Sequence, residues 1–227
     1  MCGRFTQQRP TSELAEIFDA ENLADDPGGH YNVAPTDEAA VVVQRDDRRA
    51  VVSYRWGLVP HWSADASGAA GRINARAETV AVTPAFRDSF LRRRCLVPVD
   101  SFYEWRREEG VRQPYRIVRS DGSPLILAGL WSGWRDPADG LVRRTFTIVT
   151  TRANEQIADL HDRMPVVLGP DAWQRWLDPR STDPGELHAM LIPADDTPLD
   201  VYPVVRLVNN VRNDGPELIA PLAIQTG

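Results

Sequence analysis

The chain contains no lysine: all 26 of its basic side chains are arginine, set against 32 acidic ones. No side-chain amine can therefore form a Schiff base, and an amine nucleophile can come only from the α-amino group of the chain. Cysteine is scarce. Cys2 and Cys95 are too few for a disulfide framework and fit a reducing cytosol. The histidines His30, His61, His161 and His188 are far apart, and no CxxC or HExxH pattern is present, so no metal is expected. The phosphate-cradling patterns GxxxxGK[ST] and GxGxxG are also missing, so no nucleotide cofactor is expected. No apolar run approaches the roughly 20 residues of a membrane helix. The opening residues Met1-Cys2-Gly3-Arg4-Phe5 carry no apolar secretion signal, and a cytoplasmic protein without membrane contact is the expectation. The net charge of -6 argues against bulk attraction to polyanions.

The residues that are present, 42% hydrophobic and 26% charged, describe an ordinary globular chain. Strand and helix signals alternate irregularly, which predicts one α+β domain over residues 1–227 with substantial antiparallel sheet. Thr11 or Ser12 is placed to cap a helix with Leu14, Ile17 and Phe18 on its apolar stripe. Residues 41–43 and 50–52 read as paired strands around a polar turn, 44–49. Residues 94–99, 115–118, 125–130 and 145–150 read as further strands. Thr83-Pro84 opens a helix, and further helices are expected near 154–160, 171–177 and 185–191. Residues 63–71 read as a flexible loop, and 203–221 as a turn-rich surface wrap. Charge is uneven: residues 61–120 hold eleven arginines against seven acidic residues, a local +4. That segment is the one candidate for a phosphate-facing surface, the alternative being a mixed solvated face.

Chemistry has few places to reside. If the initiator Met1 is clipped, as is usual before a small residue, Cys2 carries an amine and a thiol on adjacent carbons. An α-amine with a pKa of roughly 7.7–8.0 is partly neutral at pH 7 and can attack an aldehyde. The thiol can then close a five-membered thiazolidine. Alternatively, the thiolate attacks an amide with the amine as base. His161 is a neutral-pH acid/base candidate or a hydrogen-bonded structural residue. Glu104, between Tyr103 and Trp105, is a raised-pKa acid if its surroundings are apolar, or else an exposed acid on the far face. On an extended segment Asn74 and Arg76 share a face, as an anion site or as part of an ion pair with Glu78. Trp62, after a Pro-bent loop, offers an indole for base stacking if exposed.

Seven segments occur in order: Met1-Cys2-Gly3-Arg4-Phe5, Tyr31-Asn32-Val33-Ala34-Pro35, Trp56-Gly57-Leu58-Val59-Pro60, Ile73-Asn74-Ala75-Arg76-Ala77-Glu78-Thr79, Cys95-Leu96-Val97-Pro98, Phe102-Tyr103-Glu104-Trp105 and Leu160-His161-Asp162-Arg163-Met164-Pro165. Together they resemble the SRAP (SOS response-associated peptidase) family of abasic-site-processing proteins, from Cys2 to about Pro221. Ser101, where the family often has Gly, and the 63–71 loop are the departures. The resemblance implies a barrel-like, largely antiparallel sheet surrounded by helices. It implies that Cys2 captures the abasic aldehyde in single-stranded DNA as a thiazolidine crosslink. By the same resemblance Asn74 orients the substrate or the N-terminus near the sugar, Glu104 is the acid/base, and His161 assists proton transfer and crosslink reversal. Arg4, Arg76 and Arg163 hold DNA phosphates, Asn32 lines the pocket, and Trp62 and Pro35 cap neighbouring bases. A monomer is expected. The competing readings are an N-terminal-nucleophile cysteine amidohydrolase or peptidase and a non-catalytic single-strand binder.

Overall fold

The computed structural model describes residues 2–24, 28–108, 110–195 and 197–222. The strands are β1 (Phe5–Gln7), β2 (Ala20–Asn22), β3 (His30–Val33), β4 (Glu38–Arg45), β5 (Arg48–Trp56), β6 (Asn74–Arg76), β7 (Arg94–Val99), β8 (Ser101–Glu108), β9 (Val111–Arg119), β10 (Leu125–Arg135), β11 (Val142–Arg152), β12 (Arg163–Pro165) and β13 (Leu199–Pro203). The helices are α1 (Thr11–Phe18), α2 (Arg87–Arg92), α3 (Pro170–Leu177) and α4 (Pro184–His188). None of them is long and apolar enough to cross a membrane.

One sheet runs in the order β11, β10, β7, β4, β5, and β5 pairs back to β11, which closes a five-stranded barrel. The closing pair is parallel, Thr145 opposite Arg55 and Phe146 opposite Trp56. The other four barrel pairings are antiparallel. Alternation sorts the barrel strands. Val41, Val43, Val52, Tyr54, Trp56, Cys95, Val97, Leu125, Leu127, Phe146 and Ile148 form the interior. Their neighbours Val42, Val51, Leu96, Ile126, Ala128 and Val149 face outward against α1, α2, α3 and α4. A second antiparallel sheet, β13-β9-β8-β1-β3, lays Phe5, Phe102 and Ile117 on the first core. The expected α+β architecture, a largely antiparallel barrel with surrounding helices, is what the chain forms.

Local expectations fared unevenly. Residues 41–43 and 50–52 lie in longer strands joined by a tight turn at Asp46 and Asp47, with Asp46 left-handed at φ 50. α1 starts directly after Pro10 with no side-chain cap, and Ile17 is exposed rather than on the buried stripe of Leu14 and Phe18. Pro84 belongs to a turn in which Arg87 N–H bonds the Thr83 carbonyl, so α2 begins only at Arg87. Residues 154–160 form successive turns instead of a helix. Asn154, Ile157 and Leu160 are buried at three-residue spacing, and the Asn154 side chain donates to the Ala194 carbonyl. The 63–71 loop is tied down. Trp134 Nε1 donates to the Ser63 carbonyl, Ala69 is buried, and Leu58 N–H bonds the Arg72 carbonyl. Gly57, at φ 122, lets this loop approach: a Cβ there would stand 2.8 Å from the Ala69 carbonyl oxygen.

Candidate active site at Cys2

The site is assembled at the C-terminal end of β11, where the strand outruns the closed barrel. On one side β6 pairs with it in parallel, Ile148 opposite Asn74 and Thr150 opposite Arg76. On the other side β12 pairs antiparallel, Arg152 opposite Arg163. The N-terminal segment arrives from the second sheet. β1 is antiparallel to β8 with Phe5 opposite Phe102, and Tyr103 N–H bonds the Arg4 carbonyl. Extending that register brings residues 2 and 3 alongside Glu104. Glu104 shares the Phe102 face of β8, two residues on, and so points to the core that contains Cys2.

Cys2 has no exposure to solvent. Its carbonyl accepts a 2.7 Å hydrogen bond from Asn74 Nδ2, and its thiol lies 3.9 Å from the Arg4 carbonyl. Burial, and then the nearby Glu104 carboxylate, push the thiol well above its ordinary range. Glu104 is 3% exposed, and burial raises its pKa too, with His161 as an opposing influence. The expectation of an acid in apolar surroundings is met, and its cause is the Cys2–Phe102 core. Asn74 and Arg76 do share a face, with Ala75 buried on the other; Arg76 is exposed while Asn74 is half-buried against Cys2.

His161 follows the turn that starts at Asn154. Its Nδ1 accepts from Arg163 N–H at 2.9 Å, which leaves the proton of the neutral ring on Nε2. Asp162 Oδ1 stands 2.8 Å from the same nitrogen. Arg163 makes a bidentate pair with Glu78, 2.6 and 2.9 Å, and donates to the Thr150 carbonyl at 2.7 Å. The carboxylate partner of Glu78 is thus Arg163 on β12 rather than Arg76, and the clamp fixes β12 against β11 and β6.

Two residues assigned to DNA by resemblance turn inward. Arg4 is buried: its Nη1 donates to Asn32 Oδ1 at 2.6 Å and to the Val208 carbonyl at 2.9 Å. Asn32 is buried as well, and its Nδ2 donates to the carbonyls of Asn213, Asn210 and, at 3.4 Å, Val208. Both tether the turn-rich segment 204–222 under β3 and β8. The guanidinium of Arg4 also lies 5.8 Å over the Trp105 ring. Sequence reasoning did not pick out this Trp105–Asn32–C-terminal packing, whose signal is polar residues between aromatics. Trp62 is 56% exposed and Pro35 half-buried, both reachable from solvent. Ser101 is buried: its hydroxyl meets Thr6 Oγ1 at 2.8 Å and accepts from Arg116 Nε, contacts that glycine could not make.

A closed five-stranded barrel is flanked by a second sheet, and a buried Cys2 is held by Asn74 beside an apolar-seated Glu104. Comparison places this protein in a family. The family model for SOS response associated peptidase (SRAP) matches residues 1–211, and the chain belongs to that family. It is 38% identical over 222 residues to the abasic site processing protein YoqW of Bacillus subtilis, covering 96% of this chain and 99% of the relative. It is 34% identical over 234 residues to the abasic site processing protein YedK of Escherichia coli, covering 98% and 100%. The crystal structure of a Bacteroides thetaiotaomicron protein superposes with a TM-score of 0.88 at 25% identity, covering 98% of this chain and 100% of that one.

Proposed function

We propose that this protein processes abasic sites in single-stranded DNA by capturing the ring-opened sugar on Cys2. The convergence of Cys2, Asn74 and Glu104 in one buried site carries the reading, and the relatives named for abasic site processing agree with it. Met1, whose removal frees the amine of Cys2, lies outside the described residues. Once that bond is cleaved, the neutral amine attacks the C1′ aldehyde and gives a carbinolamine. Loss of water leaves an imine. The thiol then adds across the C=N bond, its proton passing to nitrogen, and closes a thiazolidine. The net change is the loss of one water.

The thiol held up by burial favours this order, amine first, and disfavours thiolate attack on an amide. The Asn74 bond fixes the Cys2 carbonyl and so aims its amine. Glu104, kept protonated to higher pH than an ordinary carboxyl, donates to the departing hydroxyl and receives the proton back. Nε2 of His161 is the second proton carrier. Arg76 is the exposed cation next to the site and takes a flanking phosphate, while Trp62 and Pro35 cover adjacent base faces. Arg163, committed to Glu78, acts by positioning His161. Before ring closure the imine can also suffer β-elimination, so a Cys2 variant that retains an N-terminal amine would nick abasic DNA.

The test is borohydride trapping and denaturing electrophoresis with single-stranded DNA bearing one abasic site. Glu104→Gln should slow adduct formation by about 10²-fold or more, the usual worth of a general acid. Asn74→Ala should slow it with the imine still trappable. Wild-type rates in both variants would overturn the assignment.

A further inference from the structure

A cleft of about 620 Å³ opens at the barrel mouth, at the end away from Cys2; Val43, Arg45, Asp46, Val52, Tyr54, Trp131 and Arg144 are among the residues that line it. Along β11 the six steps from Arg144 to Thr150 span about 20 Å, which separates this mouth from the Cys2 site. Strand alternation aims the cleft residues inward. Arg45 follows the interior residues Val41 and Val43, Arg144 precedes Phe146 and Ile148, and Trp131 follows Leu127 at the same parity. Inward positions of small barrels are ordinarily apolar, as every deeper layer is here. Two arginines, both exposed, break the pattern at this mouth, and neither guanidinium makes a hydrogen bond or ion pair among the described residues.

The cleft has an aromatic wall. The Tyr54 and Trp131 rings lie 5.6 Å apart at 51°. Tyr54 is 6% exposed, and its hydroxyl has no hydrogen-bond partner among the described residues. Burial keeps that phenol protonated, pushed up to about 12 despite the pull of Arg144 and Arg45, so it stands as a neutral donor facing both cations. Gly133 is the next inward position on β10. A Cβ there would meet only Val142, at 3.5 Å, so that strand contributes no plug.

We propose that the barrel mouth binds a 5′-nucleotide unit, with its phosphate between Arg45 and Arg144 and its base against Trp131 and Tyr54. Two guanidinium groups lining one cleft match a phosphate dianion, and an aromatic wall with one phenolic donor accepts a base face of any sequence. A pit at a barrel end admits a free mononucleotide or a strand terminus, since an internal nucleotide cannot enter end-on. The inference does not depend on covalent capture at Cys2.

Isothermal titration of the full-length protein with thymidine 5′-monophosphate, thymidine and inorganic phosphate is the test. The nucleotide should bind, and thymidine and phosphate should each bind about tenfold more weakly or worse. Arg45→Gln and Arg144→Gln should each weaken the nucleotide about tenfold, the worth of one charge-assisted bond. Cys2→Ala should leave this binding unchanged even if capture is lost, which separates the two sites. Competition by a 5′-phosphorylated oligothymidylate, but not by its unphosphorylated form, would identify strand termini as the source; no competition would identify free nucleotides. Absence of binding at millimolar nucleotide, phosphate binding as tightly as the nucleotide, or indifference to both arginine substitutions would overturn the proposal.

Discussion

Replacing Asn32 by alanine isolates the cost of the tether beneath the C-terminal segment. The side chain makes a 2.6 Å bond to the buried Arg4 guanidinium, two good bonds to the carbonyls of Asn213 and Asn210, and a long one to Val208. A charge-assisted hydrogen bond is worth ~1.5–3 kcal/mol and a neutral one about 1, and losses within one network do not add fully. Burial already disfavours the Arg4 charge, so removing its amide partner leaves a poorly solvated cation held by the Val208 carbonyl and the face of Trp105. About 3 kcal/mol should be lost. For a chain of this size that is about 6–12 °C in Tm. Scanning calorimetry gives the shift, and an adduct assay well below the transition gives the capture rate. The stability loss should dominate. An unchanged Tm together with abolished capture would refute the reasoning and return Asn32 and Arg4 to the DNA.

Other expectations test other parts of the fold. In Gly129→Ala the new Cβ would stand 2.7 Å from Cys95 Sγ and 2.8 Å from Val97 Cγ2, so the overpacked barrel should lose about 1–3 kcal/mol by denaturant melt. Adding Cys95→Ala should recover part of that loss and leave adduct formation intact, because Cys95 faces the barrel interior. The pKa of Glu78 is held below its ordinary value chiefly by its hydrogen bonds to Arg163. Its stabilisation is therefore present above the unfolded-state pKa and lost as pH falls through the lower folded value. With Glu78 half exposed it is worth only about 0.5–1 kcal/mol, and Glu78→Gln should abolish that acid-limb dependence in urea melts. Glu104 has the opposite sign. Its folded pKa is raised, so stability declines as pH rises from the unfolded to the folded value, and Glu104→Gln should be more stable than wild type at neutral pH while capturing DNA more slowly.

The sequence is most legible where periodicity and packing agree. Val41–Val43 and Ala50–Val52 alternate between two cores, and Arg94–Val99 is buried on both faces, so the residue pattern alone marks these strands. The barrel closure is not legible in that way. It depends on two residue pairs, Thr145–Arg55 and Phe146–Trp56, far apart in the chain. Positive charge in residues 61–120 is a poor guide as well. Arg94 is buried and donates to the carbonyls of Phe90, Leu91, Trp176, Asp178 and Ser181, and Arg116 bonds Ser101 and Tyr202. Counting charges cannot tell a guanidinium that satisfies orphan carbonyls from one that awaits a phosphate. The same blindness affects Arg4. Glu104, by contrast, is legible from its aromatic neighbours, because an acid on a strand between core residues has nowhere apolar-free to point.

The central claim is that the α-amine and thiol of Cys2 together trap an abasic aldehyde. The most direct test is the intact mass of the protein after incubation with single-stranded DNA bearing one abasic site, wild type beside Cys2→Ala. The account predicts a wild-type species that lacks Met1 and gains the mass of the DNA less one water, stable to denaturation and absent from the variant. A wild-type chain that has lost Met1 and still forms no adduct, or an equally stable adduct on the variant, would contradict it.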